Sequence, residues 1–173
     1  MKRGTERKYL PEFVYGATDG TVTTFAVVAG AFGASLSPAI IIILGLANLF
    51  GDGFSMAISN YLSTKSQKEL SNRRSPSQKI PKRTAVATFF SFVLVGAIPL
   101  LSFVLAPLIP AIDAHKFLYS VILTAIAFLA VGAVKGEVVG KHRLKSALET
   151  LLIGGIAAFI AFLVGYLLKG IAT

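Results

Sequence analysis

The 173-residue sequence contains no cysteine, and only 14% of its residues are charged. The absence of cysteine excludes disulfides, zinc–thiolate sites, iron–sulfur clusters and thiol nucleophiles. A soluble domain carries about 25% charged residues, so this chain lacks the groups that cover a water-exposed surface. Apolar residues take their place, since 54% of the chain is hydrophobic and its mean hydropathy is +0.74. A water-soluble enzyme, a coiled coil and a disordered chain are all disfavoured.

Five apolar stretches are each close to the roughly 20 residues that a helix needs to cross a bilayer. The sequence therefore predicts an all-α membrane protein in which residues 1–173 form a single transmembrane domain with five transmembrane helices. The predicted spans are 13–34, 38–62, 84–106, 117–134 and 147–171. A short basic linker, 63–83, joins the second span to the third as a mobile cytosolic loop, and it contains no separate metal-binding domain.

The basic residues lie almost entirely on one side of these spans. All but two of the 17 lysines and arginines precede the first span, lie between spans two and three, or lie between spans four and five. The two exceptions are Lys116 and Lys169. This asymmetry predicts a cytosolic N-terminus and an extracytosolic C-terminus. The net charge of +9 is then explained by the orientation of the chain in the membrane and by its attraction to lipid headgroups, and no nucleic acid partner is expected.

The N-terminal segment allows a second interpretation. A basic start, an apolar run and the small residues at 29–35 also fit a cleavable signal peptide. Asp19 would interrupt the apolar region of such a peptide, and the run is longer than the usual length of about 7–15 residues. We therefore interpret residues 13–34 as the first span.

Side chains able to bind a cation recur every fourth residue along the second span. They are Asn48, Asp52, Met56 and Asn60. At 3.6 residues per turn they share one slowly turning face, which must contact protein or water. Asn60 is expected only to bond a neighbouring helix, whereas a carboxylate is a costly helix contact, so Asp52 favours a functional role. A carboxylate with a thioether one turn away suits a transition metal better than Mg²⁺ or Ca²⁺.

Asp19 lies in the first span between Gly16 and Gly20, a pair of small residues that allows a partner helix to approach closely. If this span packed against a second copy of itself, two Asp19 carboxylates would converge and would need a cation or a proton between them. The alternative is a single Asp19 bonded to Thr23 and to nearby backbone N–H groups. We favour the first interpretation, with Asp19, Asp52 and Met56 as metal ligands.

Three stretches of the sequence resemble the vacuolar iron transporter family, also called the Ccc1-like or nodulin-like family. They are residues 12–20 (EFVYGATDG), 53–63 (GFSMAISNYLS) and 131–136 (VGAVKG). The resemblance implies a homodimer with a metal path near its two-fold interface, and proton-coupled movement of Fe²⁺, often also Mn²⁺, out of the cytosol. It also implies that Asp19 is the first-helix carboxylate, Met56 the thioether ligand, and Glu12 the acid at the cytosolic mouth.

Two features depart from the family pattern. Asn48 stands where many members carry a glutamate, and Asp52, one turn further along, is the candidate replacement. Iron-transporting members often have an acidic, metal-collecting cytosolic domain between helices two and three, whereas the linker of this chain is basic and Glu69 is its only acid. Glu12, Asn48 and Asp19 are the residues expected to take part in the pathway or in proton coupling.

The sequence as a whole predicts a divalent transition-metal transporter that exports Fe²⁺, and also Mn²⁺, from the cytosol by proton antiport. No permanent cofactor is expected, and the chain has no nucleophile–base pair or HExxH motif of an enzyme. The alternative is a non-transporting membrane protein of the same fold, acting in assembly or metal sensing. Because the linker is compact and no organelle signal is recognisable, a prokaryotic plasma membrane is favoured over a vacuolar membrane.

Overall fold

The computed structural model describes residues 2–71 and 79–172, and the side chains of residues 8–71 and 79–171. The helices in chain order are α1 (Lys2–Gly33), α2 (Pro38–Leu70), α3 (Pro81–Gly96), α4 (Leu101–Leu105), α5 (Pro110–Asp113), α6 (Lys116–Val139), α7 (Arg143–Leu167) and α8 (Lys169–Ala172). The described ranges contain no strand, so the protein is all-α as predicted. The centre of the predicted linker, residues 72–78, lies outside these ranges.

Four helical segments are long and apolar enough to cross a membrane. They are Pro38–Leu70, Pro81–Leu105, Lys116–Val139 and Arg143–Leu167. The remaining long helix, α1, does not belong to this set because its threonines, its glycines and Asp19 lower its hydropathy. The prediction of five spans is therefore confirmed for four segments, and α1 as the fifth stays a prediction.

Helix α1 lies at the centre of the bundle and packs against α2, α3, α6 and α7. Its Val28 is fully buried and joins Phe92 of α3 and Phe128 of α6 in the hydrophobic core. Thr21 and Thr24 of α1 are also fully buried. Polar side chains are tolerated here because neighbouring helices, rather than lipid, cover this part of the chain.

Most helices extend beyond the predicted spans at one end or both. Helix α1 begins at Lys2 rather than at residue 13, and α6 continues past residue 134 to Val139. Helix α2 continues past residue 62 to Leu70, because the segment is rich in helix formers and Lys65 lies 3.8 Å from Glu69 one turn later. The first part of the linker is thus helical rather than a loop. The last long helix ends at Leu167, before the predicted residue 171, and the short α8 follows it.

The third span is interrupted at Pro99. Helix α3 ends at Gly96, and a 3-10 turn over Ile98–Leu100 separates it from α4. A proline inside a helix removes a backbone N–H and clashes with the preceding turn, which explains the break. The buried hydroxyl of Ser120 on α6 donates a hydrogen bond to the Pro99 carbonyl at 2.6 Å. This bond satisfies a backbone acceptor in the interior, where no water can.

The residues at the two ends of the bundle show the direction of each long helix. At one end Glu12 of α1 pairs with Lys79, just before α3, and Lys135 of α6 lies 3.8 Å from Glu149 of α7. We call this the basic end. At the opposite end, the C-terminal part of α1 and the first turns of α2 and α6 line one cavity. Successive long helices therefore alternate in direction, as the charge pattern predicts.

Candidate cation site

The contact between α1 and α2 depends on a small polar network. The side-chain amide of Asn48 on α2 donates to the hydroxyls of Thr23 and Thr24 on α1, each at 3.3 Å. The Thr23 hydroxyl in turn donates to the backbone carbonyl of Asp19 at 2.9 Å. These bonds fix the α2 face that carries Asp52 beside the α1 turn that carries Asp19.

Asp19 and Asp52 lie within electrostatic range of each other. Asp19 is half-buried, and Asp52 is exposed on the surface of the single chain. Thr23 bonds the backbone of Asp19, and no hydrogen bond to the Asp19 carboxylate is present within the described ranges. The bond between Asp19 and Thr23 expected in the alternative is therefore present, but at the backbone carbonyl of Asp19 and not at its carboxylate.

Asp19 and Asp52 differ from the other acids. Five acidic side chains make ion pairs with a lysine or arginine: Glu12, Glu69, Asp113, Glu137 and Glu149. Among the acids whose side chains the structure describes, Asp19 and Asp52 alone have no basic partner. The chain has 17 basic and only 8 acidic residues, so a shortage of basic side chains does not explain why these two acids are unpaired within the described ranges. These two carboxylates lie well inside the first and second predicted spans, whereas Glu149, which is paired, lies at the very start of the fifth.

The remaining members of the α2 stripe have different surroundings. Met56 is half-buried and packs against the hydrophobic core. Asn60 donates to the hydroxyl of Thr88 on α3 at 2.6 Å, which is the helix-to-helix role expected for it. Ser55 and Ser59 are exposed on the same side as Asp52.

Gly16 and Gly20 both face α3 of the same chain. A Cβ added at Gly16 would lie 2.6 Å from the carbonyl oxygen of Thr88, and one at Gly20 would lie 2.5 Å from that of Phe92. The close approach that this glycine pair allows is thus made within one chain. A contact between α1 and a second copy of itself would have to use another face of the helix.

Glu12 lies away from the two aspartates, two helical turns before Asp19 on α1. It is buried at the basic end, where the Lys79 ammonium donates to its Oε1 at 2.5 Å. From the sequence, Thr23 was named only as an alternative partner of Asp19, and no role in these contacts was assigned to Lys79 or Thr24. The polar run Thr-Val-Thr-Thr at 21–24 was a usable signal for the threonines, but a pair 67 residues apart in the sequence leaves no local signal.

A single copy of the described chain does not contain a complete metal site. No group of three or more His, Cys, Asp or Glu side chains comes together among the described residues. Two carboxylates and one thioether are fewer ligands than the four or more that a divalent metal takes. Any metal bound at Asp19 and Asp52 would therefore need further ligands, from water or from a second copy of the chain.

Long apolar helices around a central polar helix define this chain as a multi-pass integral membrane protein. A family model described as the VIT family matches residues 10–80 and 72–166. The chain therefore belongs to the VIT family. Membership of a transporter family confirms the prediction that the protein is not an enzyme.

Several curated relatives are similar to nearly the whole chain. The "Vacuolar iron transporter" of Plasmodium berghei is 25% identical over 228 aligned positions, which cover 95% of this chain and 84% of that protein. "Vacuolar iron transporter 1" of Arabidopsis thaliana is 27% identical over 220 positions, covering 93% and 86%. "Vacuolar iron transporter homolog 4" of the same plant is 29% identical over 167 positions, covering 90% and 81%. The family resemblance predicted from the three motifs is confirmed.

The alignments also show that this chain is shorter than some of its relatives. Alignments of 228 and 220 positions exceed the 173 residues of the chain, so those relatives contain inserted residues. The family model matches in two pieces that meet at residues 72–80, inside the predicted linker. Homolog 4 aligns over only 167 positions, so this chain and homolog 4 align with few inserted residues.

Proposed function

We propose that this protein exports Fe²⁺, and also Mn²⁺, from the cytosol in exchange for protons, and that Asp19 and Asp52 carry the exchange. The observation that supports the proposal most strongly is that these two neighbouring carboxylates lack a basic partner among the described residues. An ionised acid in a membrane is costly unless a cation or a proton neutralises it. A site that metal and protons occupy in turn satisfies that requirement and couples the two fluxes.

Met56 supplies the metal preference in this proposal. Its thioether lies one turn beyond Asp52 on α2 and is half-buried. A soft sulfur ligand favours Fe²⁺ over Mg²⁺, which prefers oxygen ligands and gives up its water shell reluctantly. Asn48 is engaged with Thr23 and Thr24, so in this chain it positions α2 rather than replacing a carboxylate. Asp52 is then the acid of the second helix.

We further propose that the functional unit is a homodimer. Asp52, Ser55 and Ser59 are exposed on α2, and so are large apolar side chains of the same helix such as Phe54, which is 62% exposed. A carboxylate in that position would face hydrocarbon in a single chain, and a second copy would cover it. Two-fold symmetry would also double the incomplete ligand set to four carboxylates and two thioethers.

The dimer can be tested by cysteine cross-linking, because the natural sequence contains no cysteine. A Ser55→Cys variant in membranes should form a disulfide-linked dimer on mild oxidation, since the same residue of the two copies would lie close to the two-fold axis. Phe159→Cys on α7, which is 66% exposed at a face assigned to lipid, serves as the matched control. Equal dimer yields from the two variants, or no dimer from Ser55→Cys and Ser59→Cys, would refute an α2-centred interface.

The topology and location in this proposal follow the charge distribution. Helix α1 is taken as the fifth span, with the basic end in the cytosol and the C-terminus outside, in accordance with the positive-inside rule. The central position of α1 among α2, α3, α6 and α7 supports this assignment. A prokaryotic plasma membrane is kept as the expected location, although the relatives above are named for the vacuole.

Transport itself is tested with the purified protein in liposomes. Fe²⁺ and Mn²⁺ should accumulate when the interior is acidic, because protons leaving the liposome drive the metal in. Mg²⁺ and Ca²⁺ should not accumulate, and a protonophore should abolish uptake. Liposomes without protein and liposomes with the gradient reversed are the controls. Uptake that proceeds equally well without a pH gradient would show transport without antiport.

A second function is favoured by the short basic linker and by Asn48. The chain lacks the inserted residues of the longer relatives, and the family resemblance places Asn48 where many members carry a glutamate. A membrane protein of the same fold that senses metal or assists assembly would need binding but no flux. Saturable metal binding in detergent, together with no uptake of Fe²⁺, Mn²⁺, Co²⁺ or Zn²⁺ in liposomes, would favour this alternative.

A further inference from the structure

Glu12 is the most buried acidic side chain described in the protein, with 8% of its surface exposed. Its Oε1 accepts a hydrogen bond from the ammonium of Lys79 at 2.5 Å, and the Lys79 side chain is 35% exposed. Its Oε2 is buried and has no hydrogen-bond partner among the described residues. Counting the described residues alone, the carboxylate is half satisfied, and the one cation paired with it there can still reach water.

A second contact holds the same short segment against α1. The backbone N–H of Ile80 donates to the hydroxyl of Tyr9 at 2.9 Å, and Tyr9 lies one turn before Glu12. Ile80 is the N-cap residue of α3, and Pro81 follows it as the first helical residue. Residues 79–80 are therefore attached to α1 at two points, and the start of α3 places the Lys79 ammonium on the Glu12 carboxylate.

We propose that Lys79 is a built-in competitor that occupies the Glu12 carboxylate until a divalent cation displaces it. The inference rests on the proposed function, together with the place at the cytosolic mouth of the metal path that the family resemblance implies for Glu12. A lysine ammonium is a monovalent cation on a flexible stem, whereas a divalent metal carries twice the charge and accepts both carboxylate oxygens. The free Oε2 is the atom that a metal gains and Lys79 does not use.

The competition has a simple consequence for affinity. While Lys79 is bound, metal entry must break a charge-assisted hydrogen bond, so weakly bound or scarce cations are excluded. Without Lys79, a buried carboxylate is left without its counter-charge, which increases its attraction for any cation that reaches it. Lys79 thus sets the metal concentration that is needed before Glu12, at the cytosolic mouth of the path, binds a divalent cation.

The test measures equilibrium Mn²⁺ binding to the purified full-length protein, using the electron paramagnetic resonance signal of free Mn²⁺. Lys79→Gln should lower the apparent Kd about tenfold, the size expected when one charge-assisted hydrogen bond no longer competes. Lys82→Gln is the matched control, because Lys82 is exposed on the first turn of α3 and makes no ion pair within the described part of the chain. It should change the Kd less than about twofold, as expected for an exposed charge.

A double variant separates competition at Glu12 from a general loss of positive charge. In a Glu12→Gln background, Lys79→Gln should have no further effect, since the two substitutions act through one contact. An unchanged Kd for Lys79→Gln, an equal gain for Lys82→Gln, or a full gain in the Glu12→Gln background would each overturn the proposal.

A measurement on the unmodified protein requires no variant to fold. Amine-labelling of Lys79, followed by mass spectrometry, should become faster when Mn²⁺ is added, because the ammonium is released from Glu12. Labelling of Lys82 should not change. A Lys79 labelling rate that Mn²⁺ leaves unaltered would contradict displacement. Both experiments report binding rather than flux. A protein that fails in the liposome uptake test can therefore still show the Lys79 effect, and a protein that transports metal can lack the Lys79 effect.

Discussion

Replacing Asp19 by asparagine should reduce proton-driven Fe²⁺ uptake into liposomes about 100-fold or more, the factor that corresponds to losing roughly 3 kcal/mol of charge–metal interaction. Asparagine keeps the size of the side chain, but it attracts a divalent cation weakly and does not take up a proton. The half-buried position of Asp19 makes the loss large, because water screens the charge poorly there. Initial rates of Fe²⁺ uptake at a fixed pH gradient provide the measurement.

The matched control is Asp113→Asn, the same chemical change at an exposed acid of α5. Asp113 pairs with Lys116 at 2.7 Å at the opposite end of the bundle and has no place in the proposed path. This variant should transport at the rate of the parent. Asp52→Asn should resemble Asp19→Asn if the two carboxylates share one site. An Asp19→Asn protein that transports Fe²⁺ and protons as fast as the parent would refute the assignment.

Replacing Gly20 by alanine should lower the free energy of unfolding by about 1–3 kcal/mol, the usual cost of overpacking a well-packed interior. The added Cβ would lie 2.5 Å from the carbonyl oxygen of Phe92 and 3.0 Å from its Cα. These are atoms at the backbone of α3, so the helices themselves would have to separate. The higher helix propensity of alanine, about 1 kcal/mol, offsets only part of this cost.

Gly155→Ala on α7 is the control for Gly20→Ala, because a Cβ added at Gly155 meets nothing within 4 Å. This substitution should leave stability unchanged or raise it slightly through helix propensity. Thermal unfolding in detergent gives the comparison, with about 2–4 °C of Tm expected for each kcal/mol in a chain of this length. A Gly20→Ala protein with the Tm of Gly155→Ala would show that α1 and α3 do not pack this closely.

Much of the fold could be predicted from residue type alone. Burial of apolar side chains in a bilayer acts on every residue of a span, so long apolar runs identify helices without knowledge of their partners. Four predicted spans are confirmed on this basis. The first span was harder to recognise from hydropathy. Helix α1 is covered by other helices and carries threonines, glycines and an acid, which lower its mean hydropathy. Helix ends were missed where polar residues continued a helix, as in α2 beyond residue 62.

The candidate site was predictable to the extent that it depends on single residues. Asp19 and Asp52 were identifiable because an acid in an apolar span is costly wherever its neighbours lie. Their relative position was not predictable, since it depends on how α1 and α2 pack, including the bonds of Asn48 to Thr23 and Thr24. The glycine pair at 16 and 20 predicted a close helix contact, but only the structure shows that α3 of the same chain makes it.

The sequence by itself thus determined the class of protein, its apolar helices and the two carboxylates that need a counter-charge, because each follows from the transfer cost of individual side chains between water and hydrocarbon. The tertiary structure decided which acids receive that counter-charge. Lys79 reaches Glu12 across 67 residues, whereas no lysine or arginine in the described part of the chain reaches Asp19 or Asp52. Such pairings depend on distances between helices, and a pattern within one helix contains no information about them.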